Sequence, residues 1–219
     1  MSLLVENLGC ARAGRAVLRG VGFAVADGGA LVLRGPNGAG KSTLLRALAG
    51  LLPLAAGAAT LDGLSLGADP DGFTERLAFA GHLDAIKPQL TAGENLDFWA
   101  ALYGARPGAA GAALAAFGLA GLADRPAYAC SAGQKRRLGL ARLLLVPRRL
   151  WLLDEPTVSL DAEATERFAG LVGAHCAAGG MAVIATHVDL GLTGAAELRL
   201  APPGPAERAA DPFLAGPSH

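Results

Sequence analysis

The amino-acid sequence predicts an α/β fold around a mostly parallel core sheet. Short apolar runs with strand-like patterning alternate with helix-compatible segments, and a glycine-rich loop stands between one such run and a helix. A chain of 219 residues with 52% hydrophobic content is long enough to bury one substantial core. We therefore expect a single domain over residues 1–200, followed by a loose C-terminal tail over residues 201–219.

Strand-like patterning dominates the N-terminal part of the chain. The predicted strands cover residues 3–8, 18–25, 30–34, 58–61 and 77–80. One helix is predicted among them, over residues 41–51, because Pro53 follows a run of helix-forming residues and stops it. The order strand, glycine-rich loop and helix is the expected beginning of a parallel α/β core.

Helical sequence dominates the middle of the chain, where Thr91 and Glu94 have the spacing of a capping box. Helices are predicted over residues 94–103, 109–117 and 134–146. Beyond them, strands are predicted over residues 150–153 and 181–185 and a helix over residues 162–176. We interpret residues 83–148 as a helical subdomain inserted into a core formed by residues 1–82 and 149–200.

Composition and charge limit the kind of partner and the cellular compartment. The 19 basic and 19 acidic residues cancel, so net charge gives no reason to expect nucleic acid as a partner. Cys10, Cys130 and Cys176 form no CxxC pair, which argues against a disulfide framework or a zinc site and favours a reducing compartment. Glu6 comes too early for a secretory signal, and no uncharged stretch reaches the roughly 20 apolar residues that span a bilayer. We expect a cytoplasmic protein that does not cross a membrane by itself.

The stretch GPNGAGKST has the spacing GxxxxGK[ST], which forms a phosphate-binding loop when it follows a strand and opens a helix. Its residues are Gly35, Pro36, Asn37, Gly38, Ala39, Gly40, Lys41, Ser42 and Thr43. We expect backbone N–H groups and the helix dipole to hold nucleotide phosphates, with Lys41 at the outer phosphates and Ser42 as a ligand of Mg²⁺. The alternative is a glycine-rich turn before a core helix.

Two adjacent carboxylates end the buried strand of LWLLDEP. Asp154 is expected to hold Mg²⁺ through water, and Glu155 to polarise the water that attacks the γ-phosphate. His187 follows the strand MAVIAT and is expected to contact the γ-phosphate, because ligands collect at the carboxyl ends of parallel strands. Taken alone, a strand end or a single histidine is often structural. Together with the glycine loop, these residues predict hydrolysis of a nucleoside triphosphate.

A second anion-binding helix start is predicted at CSAGQKRR, far downstream of the phosphate loop. Ser131 is a suitable N-cap, and the Gly133 backbone and the helix dipole add to an anion-binding turn. The phosphate loop already accounts for one triphosphate on this chain. The second helix start is therefore expected to bind a different anion from the triphosphate held by this chain's own phosphate loop.

In their order and rough spacing, the motifs GPNGAGKST, CSAGQ, LWLLDEP, VSLD and ATH resemble those of ATP-binding subunits of ABC transporters, over residues 3–200. The resemblance implies a P-loop NTPase fold with a mostly parallel core sheet, an N-terminal antiparallel β part and a helical subdomain, with ATP and Mg²⁺ as cofactors. It implies a homodimer on ATP binding, in which the signature loop of one subunit caps the ATP of the other. That loop contains Ser131, Gly133 and Gln134, Asp161 is the D-loop aspartate, and His187 is the switch histidine.

The chain departs from the usual pattern of this family in three places, which involve four residues. Cys130 and Ala132 replace the leucine and the first glycine of the signature loop, and an alanine fits there if its φ is negative. His82 stands where a glutamine usually senses Mg²⁺ and faces the membrane subunit, and an imidazole can still bond a water or ligand. Arg12 stands near the place where an aromatic side chain usually stacks on adenine, and its guanidinium could stack there instead.

The stretches LGCARAGR, GHLDAIKPQLTAGENLDFW, SAGQKRRLGLARLLL and GGMAVIATH resemble the haem-exporter ATPases of bacterial cytochrome c maturation. This implies a peripheral protein on the cytoplasmic side of the bacterial inner membrane, working with integral membrane transporter subunits. A transporter of another cargo, or a non-transport ATPase of the same fold, is the alternative. We expect no direct haem binding, since Cys10, Cys130, His82 and His175 are better explained as buried thiols and loop or structural histidines.

Two groups of side chains in the helical segment are expected to have no role in nucleotide chemistry. Trp99 and Tyr103 are expected to be core residues or contacts to a membrane partner. Arg136, Arg137 and Arg142 fit ordinary amphipathic patterning, and the sequence assigns them no special role.

Overall fold

Two sheets and a set of helices make up the chain in the computed structural model, which describes residues 2–12 and 15–202. The strands are β1 (Ser2–Arg12), β2 (Arg15–Ala26), β3 (Ala30–Arg34), β4 (Ala56–Leu61), β5 (Leu64–Ser65), β6 (Leu77–Ala80), β7 (Leu150–Asp154), β8 (Met181–Ala185) and β9 (Ala196–Arg199). The helices are α1 (Lys41–Leu48), α2 (Pro70–Thr74), α3 (Ala92–Tyr103), α4 (Ala109–Ala116), α5 (Ala132–Ala141) and α6 (Ala162–Ala177). Most of the predicted C-terminal tail, residues 203–219, lies outside the described part.

The central sheet is parallel, with strand order β6-β7-β8-β3-β9. Its inner strands β7 and β8 are buried at every residue, as expected when helices or a second sheet cover both faces. Alternate side chains of β7 enter different clusters: Leu150 and Leu152 face one, Trp151 and Leu153 the other. This sheet places the ends of its strands at a common edge.

The second sheet is antiparallel, in the order β2-β1-β4-β5, and it packs over the first helix. Leu44, Leu45 and Leu48 of α1 are fully buried, in one cluster with side chains of both sheets. The N-terminal antiparallel part and the parallel core sheet therefore clamp α1, and with it the loop that precedes this helix.

Helices α3, α4 and α5 cover the opposite face of the parallel sheet. Leu138 and Leu140 of α5 share a buried cluster with Trp151, Leu153 and Ile184 of the sheet. The helical segment thus completes the core of the sheet it covers. The division into a core and a helical subdomain over residues 83–148 stays a prediction.

The observed bounds differ from the predicted ones where local signals are weak. The first helix ends at Leu48, before the predicted residue 51, because the chain reverses at Gly50 with φ 71°. The helix predicted over 134–146 starts two residues earlier, and a 3₁₀ turn (Arg142–Leu144) replaces its last part. Three short elements, α2, β5 and β9, were not predicted. The edge strand β9 is mostly exposed, so its sequence has no apolar pattern, and its pairing with β3 defines it.

None of the helices in the described part of the chain combines the length and the apolar character that crossing a lipid bilayer would require.

Candidate active site

The predicted nucleotide-binding motifs meet at one edge of the parallel sheet. β3 leads into the glycine loop, β7 ends at Asp154, and β8 leads to Thr186 and His187. Since β7, β8 and β3 are adjacent and parallel, their carboxyl ends lie together. Residues that are more than a hundred positions apart therefore share one site, as Ser42 and Asp154 do.

The shape of the loop requires glycine at Gly35 and Gly40. Gly35 has φ 137°, and a Cβ there would collide with the carbonyl oxygen of Leu200. Gly40 has φ 96°, and its Cβ would lie 2.5 Å from Cδ2 of Leu18. Residues with a Cβ rarely adopt such positive φ values, so a substitution would strain the backbone and displace a neighbour.

The ammonium group of Lys41 lies inside this loop. Lys41 is 7% exposed, and its Nζ donates to the carbonyl oxygens of Gly35, at 2.7 Å, and Pro36, at 3.3 Å. The same Nζ is 3.4 Å from Nε2 of His187. A buried cation held by two backbone carbonyls is ready to exchange those partners for phosphate oxygens.

A hydroxyl and a carboxylate meet next to the loop. Ser42 Oγ donates to Asp154 Oδ1 at 2.9 Å, and Asp154 is 3% exposed. This pair of oxygen ligands suits a hard cation such as Mg²⁺. The structure thus brings together two of the three residues that the sequence predicted for the Mg²⁺ site, and the third is His82.

Glu155 leaves the strand in an unusual backbone conformation. Its φ is 45°, which is uncommon for a residue with a Cβ, and its N–H donates to the carbonyl oxygen of Ala185 at 2.8 Å. Its Oε1 is 3.4 Å from Nε2 of His187, whose side chain is 55% exposed. The glutamate and the histidine therefore flank the open side of the site, beside the ammonium of Lys41.

Comparison with known proteins agrees with this geometry. A protein-family model described as ABC transporter matches residues 18–158. The chain belongs to the ABC transporter family. It is 54% identical over 200 residues to the cytochrome c biogenesis ATP-binding export protein CcmA of Paracoccus denitrificans (strain Pd 1222), covering 91% of this chain and 89% of that protein. The protein of the same name from Cereibacter sphaeroides is 51% identical over 218 residues, covering 97% of this chain and 98% of that protein.

A solved structure of this family has the same fold. The dimeric post-hydrolysis state of an ATP-binding cassette, bound to ADP and Pi, superposes with a TM-score of 0.79 and 25% identity, over 90% of this chain and 94% of that chain. The predicted α/β P-loop NTPase fold is therefore confirmed. The chain is an ATP-hydrolysing subunit of an ABC transporter.

The ABC signature loop forms a capping box at the start of α5. Ser131 Oγ accepts from the N–H of Gln134 at 3.2 Å, and Gln134 Oε1 accepts from the N–H of Ser131 at 2.9 Å. Ala132 is not among the residues with positive φ, so the alanine fits as expected. A Cβ at Gly133 would lie 2.7 Å from the carbonyl oxygen of Ser159, which places this turn against the segment before α6.

Within residues 2–12 and 15–202, no hydrogen bond or ion pair joins the signature loop, residues 131–134, to the phosphate loop, residues 35–43. Asp161 is the N-cap of α6, where its Oδ1 accepts from the N–H of Ala164 at 2.8 Å. One chain therefore joins only part of the predicted site.

Two departures from the ABC pattern, at His82 and Arg12, stay predictions. His82 is exposed in the loop after β6, at the same sheet edge as the end of β7, and its role stays a prediction. Arg12 is a strand residue whose side chain lies outside the described part of the chain. Its proposed stacking on adenine also stays a prediction.

Sequence reasoning missed two arginines that support this ABC site. Arg34, at the end of β3, donates from Nη1 to the carbonyl oxygens of Thr186, at 2.6 Å, and Val188, at 3.3 Å, and so holds the backbone on both sides of His187. Arg136 was treated as part of an amphipathic helix, but it is only 5% exposed. The spacing of Arg136 to Gly139 and Leu140, three and four residues on, indicates the buried helix face but not which groups Arg136 contacts.

Proposed function

We propose that this chain hydrolyses ATP to power an export complex of cytochrome c biogenesis, and that haem or a haem-carrying chaperone is the cargo exported or released. Its similarity to CcmA export proteins over nearly the whole chain supports the biological assignment. One observation supports ATP hydrolysis above all. Four side chains lie together at one sheet edge: Lys41, Asp154, Glu155 and His187.

In the proposed mechanism, the glycine loop and Lys41 hold the phosphates of ATP. The loop N–H groups and the start of α1 bind phosphate oxygens, and Lys41 Nζ exchanges the carbonyls of Gly35 and Pro36 for the outer phosphates. Ser42 and Asp154 fit Mg²⁺ because they offer a hydroxyl and a carboxylate oxygen 2.9 Å apart. When bound, Mg²⁺ neutralises the charge that develops on the transferring phosphoryl group.

Glu155 and His187 provide the remaining groups of the proposed reaction. Glu155 accepts a proton from the water that attacks the γ-phosphate, and His187 holds the γ-phosphate from the same side, as expected from their 3.4 Å separation. The bond from the γ-phosphorus to the bridging oxygen breaks as the bond to the water oxygen forms. The products are ADP and inorganic phosphate.

The proposed working unit is a head-to-tail homodimer that forms on ATP binding and binds integral membrane transporter subunits. The loop at Ser131, Gly133 and Gln134 makes no hydrogen bond or ion pair with its own phosphate loop within the described ranges, yet it is an N-terminal turn suited to an anion. In the dimer it caps the ATP of the partner. Asp161 stands near the same interface. We propose a peripheral location on the cytoplasmic side of the bacterial inner membrane.

Deletion and complementation in the cell that encodes the chain test this function. Loss of the chain should abolish covalently bound haem in c-type cytochromes, and the wild-type chain should restore it, whereas Lys41→Ala should not. Haem staining of membrane proteins after gel electrophoresis measures the outcome. If the deletion leaves c-type cytochromes intact while another transport process fails, the cargo is a different one. Co-purification only with DNA or ribosomes would instead favour a non-transport ATPase.

A further inference from the structure

The buried guanidinium of Arg136 joins three segments of the chain. From its place in α5, its Nη2 donates to the carbonyl oxygens of Asp154, at 3.1 Å, and Glu155, at 2.9 Å, and its Nε donates to the carbonyl oxygen of Pro156, at 3.0 Å. Its Nη1 donates to the carbonyl oxygen of Gly81 and to Asp84 Oδ1, both at 3.0 Å. A planar fork with several fixed donors suits such a set of acceptors, and a lysine ammonium does not match it.

The acceptors on the catalytic side belong to a turn that needs support. Glu155 has a φ of 45°, a conformation that persists in a residue with a side chain only when its surroundings hold it. Its N–H is held by Ala185, and its carbonyl oxygen is held by Arg136. Since the two flanking carbonyls also bond to Arg136, this one side chain fixes three successive peptide groups around Glu155.

The acceptors on the other side belong to the loop that contains His82. Gly81 and Asp84 flank this loop, and Asp84 forms an ion pair with Arg136 at 3.0 Å. The helix also packs closely on the loop, because a Cβ at Gly139 would lie 2.6 Å from the carbonyl oxygen of Asp84. Helix α5, the 81–84 loop and the end of β7 are therefore held in one fixed arrangement.

We propose that Arg136 is a positioning residue for ATP hydrolysis: it holds Glu155 in its left-handed conformation and so keeps the carboxylate beside His187. The inference rests on the proposed role of Glu155 as the base. Without the guanidinium, the turn relaxes to an ordinary conformation and the carboxylate moves away from the attacking water. The phosphate loop is untouched, so the fault is in the chemical step and leaves ATP binding intact.

The test compares Arg136→Lys with the neighbouring control Arg137→Lys in the complex with the membrane subunits. Within the described part of the chain, Arg137 donates a hydrogen bond to the carbonyl oxygen of Phe117 and none to residues 154–156. Arg136→Lys should lower kcat about tenfold or more, since a misplaced catalytic group costs up to about a hundredfold, and should leave KM for ATP within about twofold. Arg137→Lys should leave kcat within about twofold of wild type. A normal kcat in folded Arg136→Lys overturns the proposal.

A double variant tests whether Arg136 affects hydrolysis through Glu155 or through another group. In a Glu155→Gln background, Arg136→Lys should add no further loss of kcat, because the group it positions is already gone. An equal further loss would show that Arg136 acts elsewhere and would overturn the inference. If Glu155→Gln alone hydrolyses ATP at the wild-type rate, the assignment of the base fails instead, which is a distinguishable result.

Thermal unfolding shows whether Arg136→Lys folds. If it does not, Asp84→Asn provides a second test of the proposal. The change keeps the size of the side chain and removes the carboxylate charge from the ion pair with Arg136. It should lower kcat by roughly threefold, with unchanged ATP affinity of the chain, because the loss of one ion pair weakens the hold of Arg136 only in part. An unchanged kcat in Asp84→Asn would then overturn the proposal.

Discussion

Asp154 and Glu155 are neighbours in sequence with very different surroundings. Asp154 is the last residue of a buried strand, is 3% exposed, and accepts a hydrogen bond from Ser42. Glu155 has left the strand with a φ of 45°, which turns its side chain toward His187. Because the backbone conformation changes between the two residues, the carboxylate of Asp154 is placed to bind a cation and the carboxylate of Glu155 is placed to accept a proton.

Replacing Glu155 by Gln should stop hydrolysis and spare nucleotide binding. The amide keeps the size of the side chain but cannot accept the proton of the attacking water, so kcat should fall by about a hundredfold or more. ATP affinity should stay close to wild type, because Lys41 and the glycine loop are unchanged. Phosphate release and nucleotide titration measure the two quantities. A variant that keeps more than a tenth of wild-type kcat would contradict the assignment.

His175 is a partly buried histidine outside the nucleotide-binding motifs. Its ring stacks on Trp151 with centroids 4.0 Å apart, and its Nε2 donates to the carbonyl oxygen of Met181 at 3.1 Å. Burial lowers the pKa of His175 below its ordinary value, and the charge of Arg149 lowers the pKa further, against the opposing effect of the Met181 hydrogen bond. The folded protein therefore holds this histidine neutral where the unfolded chain protonates it.

The lowered pKa predicts that stability falls as the solution is acidified from about pH 7 through the ordinary histidine pKa of about 6.5. In that range the unfolded state binds the proton first, so the folded state loses stability. Thermal unfolding between pH 5 and pH 8 should show a weaker pH dependence in His175→Phe, which keeps an aromatic ring on Trp151. Equal slopes in His175→Phe and wild type would contradict the prediction.

At the scale of elements, helices α3 and α5 begin with the same local device. Thr91 and Glu94 bond reciprocally at 3.1 and 2.7 Å, as predicted, and Ser131 and Gln134 bond at 3.2 and 2.9 Å. Both boxes satisfy N–H groups that a helix start leaves without partners. The two helix starts therefore provide a matched pair, with one in the signature loop and one outside it.

Ser131→Ala and Thr91→Ala should separate capping from catalysis. Each should destabilise the fold by about 1 kcal/mol, since each removes one N-cap acceptor. Only Ser131→Ala should also lower ATP hydrolysis, by about tenfold or more, because in the proposed dimer its hydroxyl donates to the ATP of the partner. Unfolding in denaturant and steady-state hydrolysis measure the two effects. Equal loss of activity in both variants would argue against a phosphate contact at Ser131.

At the scale of the whole molecule, the proposed dimer completes each site with the phosphate loop of one chain and the signature loop of the other. Glu155→Gln with ATP and Mg²⁺, in the presence of the membrane partner, should therefore accumulate as a closed pair of ATPase subunits. A shift from about 1:99 to 99:1 closed requires about 5.5 kcal/mol of differential binding, which two shared triphosphates can provide. Light scattering should detect the pair with ATP, and chelation of Mg²⁺ should disperse it. A variant that stays open at saturating ATP would contradict the dimer.

Local sequence was sufficient for the elements with strong signals. The glycine loop, the capping box at Thr91, the N-cap at Ser131 and the short apolar strands each depend on residues within a few positions of one another. A short stretch such as GPNGAGKST is therefore enough to predict each of them. Short exposed elements such as β9 lack such a signal, because their stability comes from pairing with a distant strand. The ends of helices α1 and α5 were inexact for a related reason, since packing and the following turn decide where a helix stops.

The sequence by itself determined the nucleotide chemistry, since glycines, Lys41, Ser42 and the two carboxylates each follow from a short motif. Tertiary structure alone decided which groups support that chemistry. Arg136 and Arg34 resemble ordinary helix and strand arginines in sequence, yet one reaches across 52 to 55 positions to Gly81 and Asp84, and the other across 152 to Thr186. The physical reason is that a side-chain hydrogen bond depends on where distant segments pack, and no local pattern encodes that distance.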